Sequence, residues 1–199
     1  MEETRLVRDY LGVSRDTLES FTRQFPHPFL IMTQQMSDVE RGDEEAFFTA
    51  KLDQTRLAEL KAVAEGRILN PDAPVFCVQK RTDVQKGTGV ITAGRASNCD
   101  IVLISKVISK LHFYLSAGPC SEDKYLLADG GSTNGTQING VRLAPHERVT
   151  VESGDVVLLS GEVRLQFFLS RGFWGALQKI PACYDRRTSV GSAPVSLSS

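Results

Sequence analysis

The stretch Asp129-Gly130-Gly131-Ser132-Thr133-Asn134-Gly135-Thr136-Gln137-Ile138-Asn139-Gly140 closes the most informative region of this chain. That region opens at Gly94-Arg95 and runs through Asn98-Cys99-Asp100-Ile101-Val102-Leu103 and Ser109-Lys110-Leu111-His112. Asn139-Gly140, set between Gln137-Ile138 and Val141-Arg142, is the strongest hairpin signal present, because both residues tolerate the positive φ that a two-residue turn requires. The other pieces are loop sequences between short β-type runs. They collect one arginine, small hydroxyl residues, asparagines and turn glycines.

Outward from this stretch, short runs of Val, Ile, Leu and Phe alternate with turn clusters from Val75 to about residue 170. Turn signals spaced roughly every 8–12 residues indicate an all-β sandwich. Strands are expected near 75–81, 89–95, 101–104, 112–117, 124–129, 136–138, 141–143, 147–151, 155–160 and 163–170. Residues 74–170 are therefore read as one β-sandwich domain, with Asn70-Pro71-Asp72-Ala73-Pro74 as its boundary.

Residues 1–72 read as a helical N-terminal extension. Leu6, Tyr10, Leu11, Val13 and Leu18 recur near a helical period. Ser14-Arg15-Asp16-Thr17 opens a second helix with Leu18, Phe21 and Phe25 on one face, ended by Pro26-His27-Pro28. Phe29-Leu30-Ile31-Met32 is an apolar run whose type is left open. Asp43–Phe48 resembles a helix first turn, and 53–65 is the clearest helix, with Gly66 after it. Residues 171–199 are expected to give a short helical turn at Phe173–Leu177, then a disordered tail from 185.

Bulk composition narrows the function classes. The 199 residues are 41% hydrophobic and 24% charged, ordinary globular values. The net charge of −1 is uneven: residues 1–72 sum to −5 and residues 73–199 to +4. A mildly basic second half suits an anionic ligand but lacks a nucleic-acid stripe, since its cations are scattered without aromatic interleaving. Cys77, Cys99, Cys120 and Cys183 form no CxxC pair, and His27, His112 and His146 are far apart in sequence. Zinc spacing is thus absent, and reduced thiols packed as small apolar groups are expected. With neither a leader-like N-terminus nor an apolar run of about 18 residues, a soluble cytoplasmic protein is expected. No cofactor, metal or catalytic residue set is expected.

The loop residues suit a phosphate. A phosphothreonine carries about −1.5 to −2 charges and three acceptor oxygens. Its receptor needs a guanidinium, whose planar donors match phosphate geometry, together with hydroxyl and amide donors. Arg95 ends an expected strand, while Ser109, Lys110 and Thr133 lie in other loops able to converge with it. The Asn134 amide can both donate to and accept from a peptide backbone. Gly94, His112, Gly135 and Asn139 are expected to support loop geometry. Taken singly, each residue is as well explained as a turn former or a solvated surface group; the case rests on their ordered arrangement.

That arrangement resembles the forkhead-associated (FHA) domain family. The matching residues are Gly94-Arg95, Asp100–Leu103, Ser109–His112, Ser132–Thr136, Asn139-Gly140 and Gly154–Leu158. The resemblance spans roughly residues 74–170 and implies a β-sandwich of about eleven strands whose loops at one end bind phosphothreonine peptides. It implies that Arg95, Ser109 and Thr133 contact phosphate, that Asn134 contacts peptide backbone and that His112 supports the loops. Lys110 stands where the family often has arginine, and Leu159-Ser160-Gly161 departs from its usual isoleucine-glycine.

The function expected is a non-enzymatic phosphothreonine-binding adaptor in serine/threonine kinase signalling. Its partner would be a phosphothreonine-containing protein, either a kinase or a kinase substrate, with no nucleic acid or membrane involved. The rival reading is a structural or assembly protein using the same fold independently of phosphate. Gly87-Thr88-Gly89 lacks a following helix and does not read as a nucleotide loop. Arg186-Arg187-Thr188-Ser189 resembles a kinase substrate motif, and a phosphorylated Thr188 is a conceivable ligand for the same site.

Overall fold

The computed structural model describes residues 4–35, 68–81, 89–118 and 124–184. Their strands are β1 (Arg5–Leu6), β2 (Phe29–Gln35), β3 (Pro74–Cys77), β4 (Val90–Gly94), β5 (Ile101–Val102) and β6 (Phe113–Ala117). The series continues with β7 (Tyr125–Asp129), β8 (Thr136–Ile138), β9 (Val141–Arg142), β10 (Arg148–Val151), β11 (Val156–Leu159) and β12 (Val163–Phe168). Two helices flank them, α1 (Leu18–Gln24) and α2 (Ser170–Leu177). The protein is mainly β, and its ten strands from β3 onward fall where the alternating pattern places them.

The strands form two sheets, one ordered β1-β3-β2-β12-β11-β8-β9 and the other β10-β7-β6-β4-β5. All pairings are antiparallel except β4 with β5. Period-two alternation sends Leu30, Leu165 and Phe167 into a core shared with Phe113, Leu115 and Leu127 of the opposing sheet. Asn139 and Gly140 take φ of +51° and +84°, both left-handed, as a tight β8–β9 turn demands.

The described residues before β3 are packed into the sandwich, with α1 as their one α-helix. Thr17 caps α1 by accepting the Ser20 amide at 3.3 Å, as its sequence suggests. The apolar run after Pro28, however, is strand β2, inserted in the long sheet between β12 and β3. A run of four apolar residues carries no periodicity that separates strand from helix. Here the open edges of β12 and β3 supply the hydrogen bonds that decide it. Among the described residues, β1 and a 3-10 turn, Val7–Tyr10, are the elements that precede α1. The expected helix at 53–65, the first turn at 43–48 and the tail from 185 lie outside the described residues.

The outer face of the long sheet carries a second apolar cluster. Phe29, Ile31, Val75 and Phe168 point into it, and Val7, Tyr10, Phe21, Phe173 and Leu177 cover it. Tyr10 and Phe29 approach Phe173 with centroids 5.3 and 4.6 Å away, so the segments before β2 and after β12 close over the same strands. The expected turn at Phe173–Leu177 lies in α2, which is seated here. No helix among the described residues is long and apolar enough to cross a membrane.

Candidate functional site

Strand β4 ends at Gly94, where a side chain has no room. A Cβ there would lie 2.3 Å from the Lys110 carbonyl oxygen and 3.0 Å from the His112 amide nitrogen. The close approach lets the loop after β4 zip onto the loop before β6: the Arg95 amide donates to Ser109 O at 2.9 Å, and the Ala96 amide to Lys110 O at 3.0 Å. Arg95 is exposed, with its Nε donating to Ile108 O at 3.2 Å. That bond fixes the root of the guanidinium while its terminal nitrogens make no hydrogen bond among the described residues.

Ser109 meets Thr133 from a loop 24 residues away. The Thr133 amide donates to Ser109 Oγ at 3.0 Å, and Ser109 Oγ donates to Thr133 Oγ1 at 3.3 Å. Arg95, Lys106–Leu111, Gly131, Thr133 and Asn134 border one open groove of about 460 Å³. The structure thus brings together Arg95, Ser109, Lys110, Thr133 and Asn134. Lys110 and Asn134 are exposed on its rim, and the Asn134 carbonyl accepts from Arg142 Nη2 at 3.2 Å.

His112 lies wholly buried beneath the groove. Its Nδ1 accepts the Ser109 amide at 3.2 Å, and its Nε2 lies 3.3 Å from Gly135 O. One ring nitrogen accepts, so the other must donate, and the ring is the neutral Nε2–H tautomer. Burial holds its pKa below the ordinary imidazole value, the Gly135 carbonyl and Asp129 opposing in part. Because the folded pKa is lowered, the stability this ring contributes is full above about 6.5 and falls as pH drops below that. The urea midpoint of the unliganded protein is expected to fall between about pH 7.5 and 5.5. A His112→Asn variant is expected to show a flatter profile over the same window.

Asn139 does not border the groove. Its Nδ2 donates to Asp155 Oδ1 and its Oδ1 accepts the Val156 amide, both at 2.9 Å, tying the β8–β9 turn to β11. Gly135 serves the groove from below, donating its amide to Ser132 Oγ at 2.9 Å.

Asp129, which the sequence marks only as a turn residue, organises the second loop. Only 3% exposed, it accepts the Gly131 and Ser132 amides at 2.9 and 2.8 Å, Ser132 Oγ at 2.6 Å and Thr136 Oγ1 at 2.7 Å. Burial pushes its pKa up, but these four donors outweigh burial and hold the carboxyl below its usual range. The signal was available: a carboxylate two or three residues before a Gly-Ser pair is an Asx-turn pattern. Asp100 does the same for the first loop, accepting from the Thr92 amide and hydroxyl, Lys80 Nζ and the Arg81 amide. Lys106, on the groove's border, carries no local pattern that singles it out.

Buried Cys99 donates Sγ–H to Lys110 O at 3.3 Å, and burial raises its pKa. No group of three or more His, Cys, Asp or Glu among the described residues is placed to hold a metal ion.

Comparison with known proteins gives matches over the same region. Residues 91–160 match the model of the FHA domain. The chain is 33% identical over 76 residues to the FHA domain-containing protein PS1 of Arabidopsis thaliana, covering 38% of this chain and 5% of that protein. It is 36% identical over 88 residues to human kanadaptin, covering 40% of this chain and 12% of that protein. It therefore spans only a small part of either relative. Among solved structures, the MEK1 FHA domain with a HOP1 phosphothreonine peptide matches 48% of this chain and 87% of its own, at 26% identity and TM-score 0.38. The N-terminal FHA domain of S. cerevisiae Rad53p with a phosphothreonine peptide matches 51% and 89%, at 28% identity and TM-score 0.40. Residues 91–160 thus match the FHA domain family, and the segments before and after them complete the sandwich in which they lie.

Proposed function

We propose that this protein is a phosphothreonine-peptide-binding interaction module, acting as an adaptor in serine/threonine kinase signalling. The observation that carries this reading is the bond between Ser109 and Thr133, which joins two loops beside the Arg95 guanidinium. Two kinds of donor meet there: a fixed-root guanidinium and two hydroxyls. A dianionic phosphate takes up several such donors at once, and each charge-assisted bond contributes roughly 1.5–3 kcal/mol. Two or three, less the cost of ordering a peptide, give about micromolar affinity. Asn134, on the rim, is placed to pair with the peptide backbone, and Lys110 to add charge. The family match supports a non-enzymatic module, since it indicates no catalytic family.

Arg95→Ala tests the site. The side chain is exposed, so the melting temperature should stay within about 2 °C of wild type. Affinity for a phosphothreonine peptide should fall about 100-fold, the loss of a bidentate charged contact worth roughly 3 kcal/mol. Isothermal titration reads the second quantity. Unchanged affinity would remove Arg95 from the site and the phosphate reading with it.

A further inference from the structure

The groove holds more positive charge than one phosphate neutralises. Arg95, Lys106 and Lys110 border it, all exposed, and no carboxylate does so among the described residues. None of the three forms an ion pair among those residues, where the ion pairs are Arg8–Asp72, Arg23–Glu19 and Lys80–Asp100. Arg142, also exposed, adjoins the rim through the Asn134 carbonyl. Asp129, in the loop that carries Gly131 and Thr133, is buried with both oxygens taken up by loop donors. Three cations face a ligand group of about −1.5 to −2, so a neutral-flanked phosphopeptide leaves like charges crowded at the rim.

We infer that the partner presents its phosphothreonine within an acidic segment, and that Lys106 is a residue that reads the flanking acids. This deepens the phosphothreonine reading and rests on it. Lys106 sits three residues before Ser109, on the loop that carries Ile108, whose carbonyl holds the guanidinium. A lysine there reaches ligand side chains beyond the phosphate as a mobile point charge rather than a fixed fork. Each acidic side chain within its reach should raise affinity roughly twofold to fivefold, the range of exposed ion pairs. The preference should also fade with salt, because exposed charges are screened over about 10 Å at 0.1 M and about 3 Å at 1 M.

The test uses the full chain and three labelled phosphothreonine peptides that differ only in flanking residues, acidic, alanine or lysine, with the unphosphorylated acidic peptide beside them. Fluorescence anisotropy is read at about 0.05 M and about 0.5 M salt. The expected order is acidic, then alanine, then lysine, with a spread of about tenfold or more at low salt that shrinks at high salt. Lys106→Gln should narrow the gap between the acidic and alanine peptides. Equal affinity for all three overturns the inference and leaves phosphothreonine binding standing. A preference for apolar flanks, which exposed Ile104 and Leu111 would favour, also overturns it. Failure of every phosphopeptide, or equal binding of the unphosphorylated acidic peptide, overturns both readings.

Discussion

A chain of residues 74–199 is expected not to fold, although it holds the whole FHA match and every residue bordering the groove. It would lose β2, the strand that joins β12 to β3 in the long sheet. Leu30 leaves the core between the sheets, while Phe29, Ile31, Val7, Tyr10 and Phe21 leave the outer cluster. All six are at most 4% exposed. Burying a large apolar side chain contributes roughly 1.5–3 kcal/mol, so their loss removes about 9–18 kcal/mol. Unfolded chains already bury part of that surface, which makes the figure an upper bound. Even half of it is comparable to the roughly 5–15 kcal/mol that holds a typical domain together.

The damage extends beyond the deleted atoms. Phe168 and Phe173 would face water, and β12 would become an open edge that invites association. The full chain should melt in one cooperative transition by circular dichroism. The 74–199 chain should show no cooperative melt and poor amide dispersion in an NMR spectrum. A sharp melt close to that of the full chain would mean that β2 is an accessory to the sandwich rather than a member of it.

This expectation marks the limit of what the sequence discloses. The β region was legible because antiparallel strands with one buried face alternate at a period no helix shares, and because Asn139-Gly140 admits few backbone conformations. The residues that meet at the groove were legible because they occupy loops, where polar residues in a fixed order have no packing task to explain them. Strand β2 was not legible: Phe29–Met32 is apolar on both faces, since one face meets the inter-sheet core and the other the aromatic cluster. A segment buried on both sides loses the alternation that identifies it. The role of Asp129 was only partly legible. Its Asx-turn pattern marks the bonds to Gly131 and Ser132, but the fourth donor is known only once the loop closes back on Thr136, seven residues on. Lys106 was invisible because an exposed lysine becomes informative only through its neighbours in space.

Asp129→Ala is expected to cost about 3–5 kcal/mol and to abolish phosphopeptide binding together, because one carboxylate holds the loop in both respects. It replaces a buried acceptor of four hydrogen bonds, three of them to Gly131 and Ser132. The buried hydroxyl of Thr136 and the Ser132 donors would be left without it, and each orphaned donor costs roughly 1–3 kcal/mol. Water reaching exposed Gly131 should recover part of this, so the total falls short of the sum. Ser132 Oγ also accepts the Gly135 amide, and Gly135 O faces His112 Nε2, so the disturbance passes to the ring that positions Ser109. Asp129→Asn keeps one acceptor oxygen but turns the other into a donor, and should cost about 1–3 kcal/mol. Acid supplies an independent check. The folded pKa of Asp129 is lowered, so its contribution is full above about 4 and disappears as pH falls through the folded value. Urea unfolding at neutral pH and at about pH 3 should therefore show a smaller penalty for Asp129→Ala in acid than at neutrality. If the penalty is under about 1 kcal/mol and the variant binds phosphothreonine peptide like wild type, the loop is held by its backbone alone and the carboxylate is incidental.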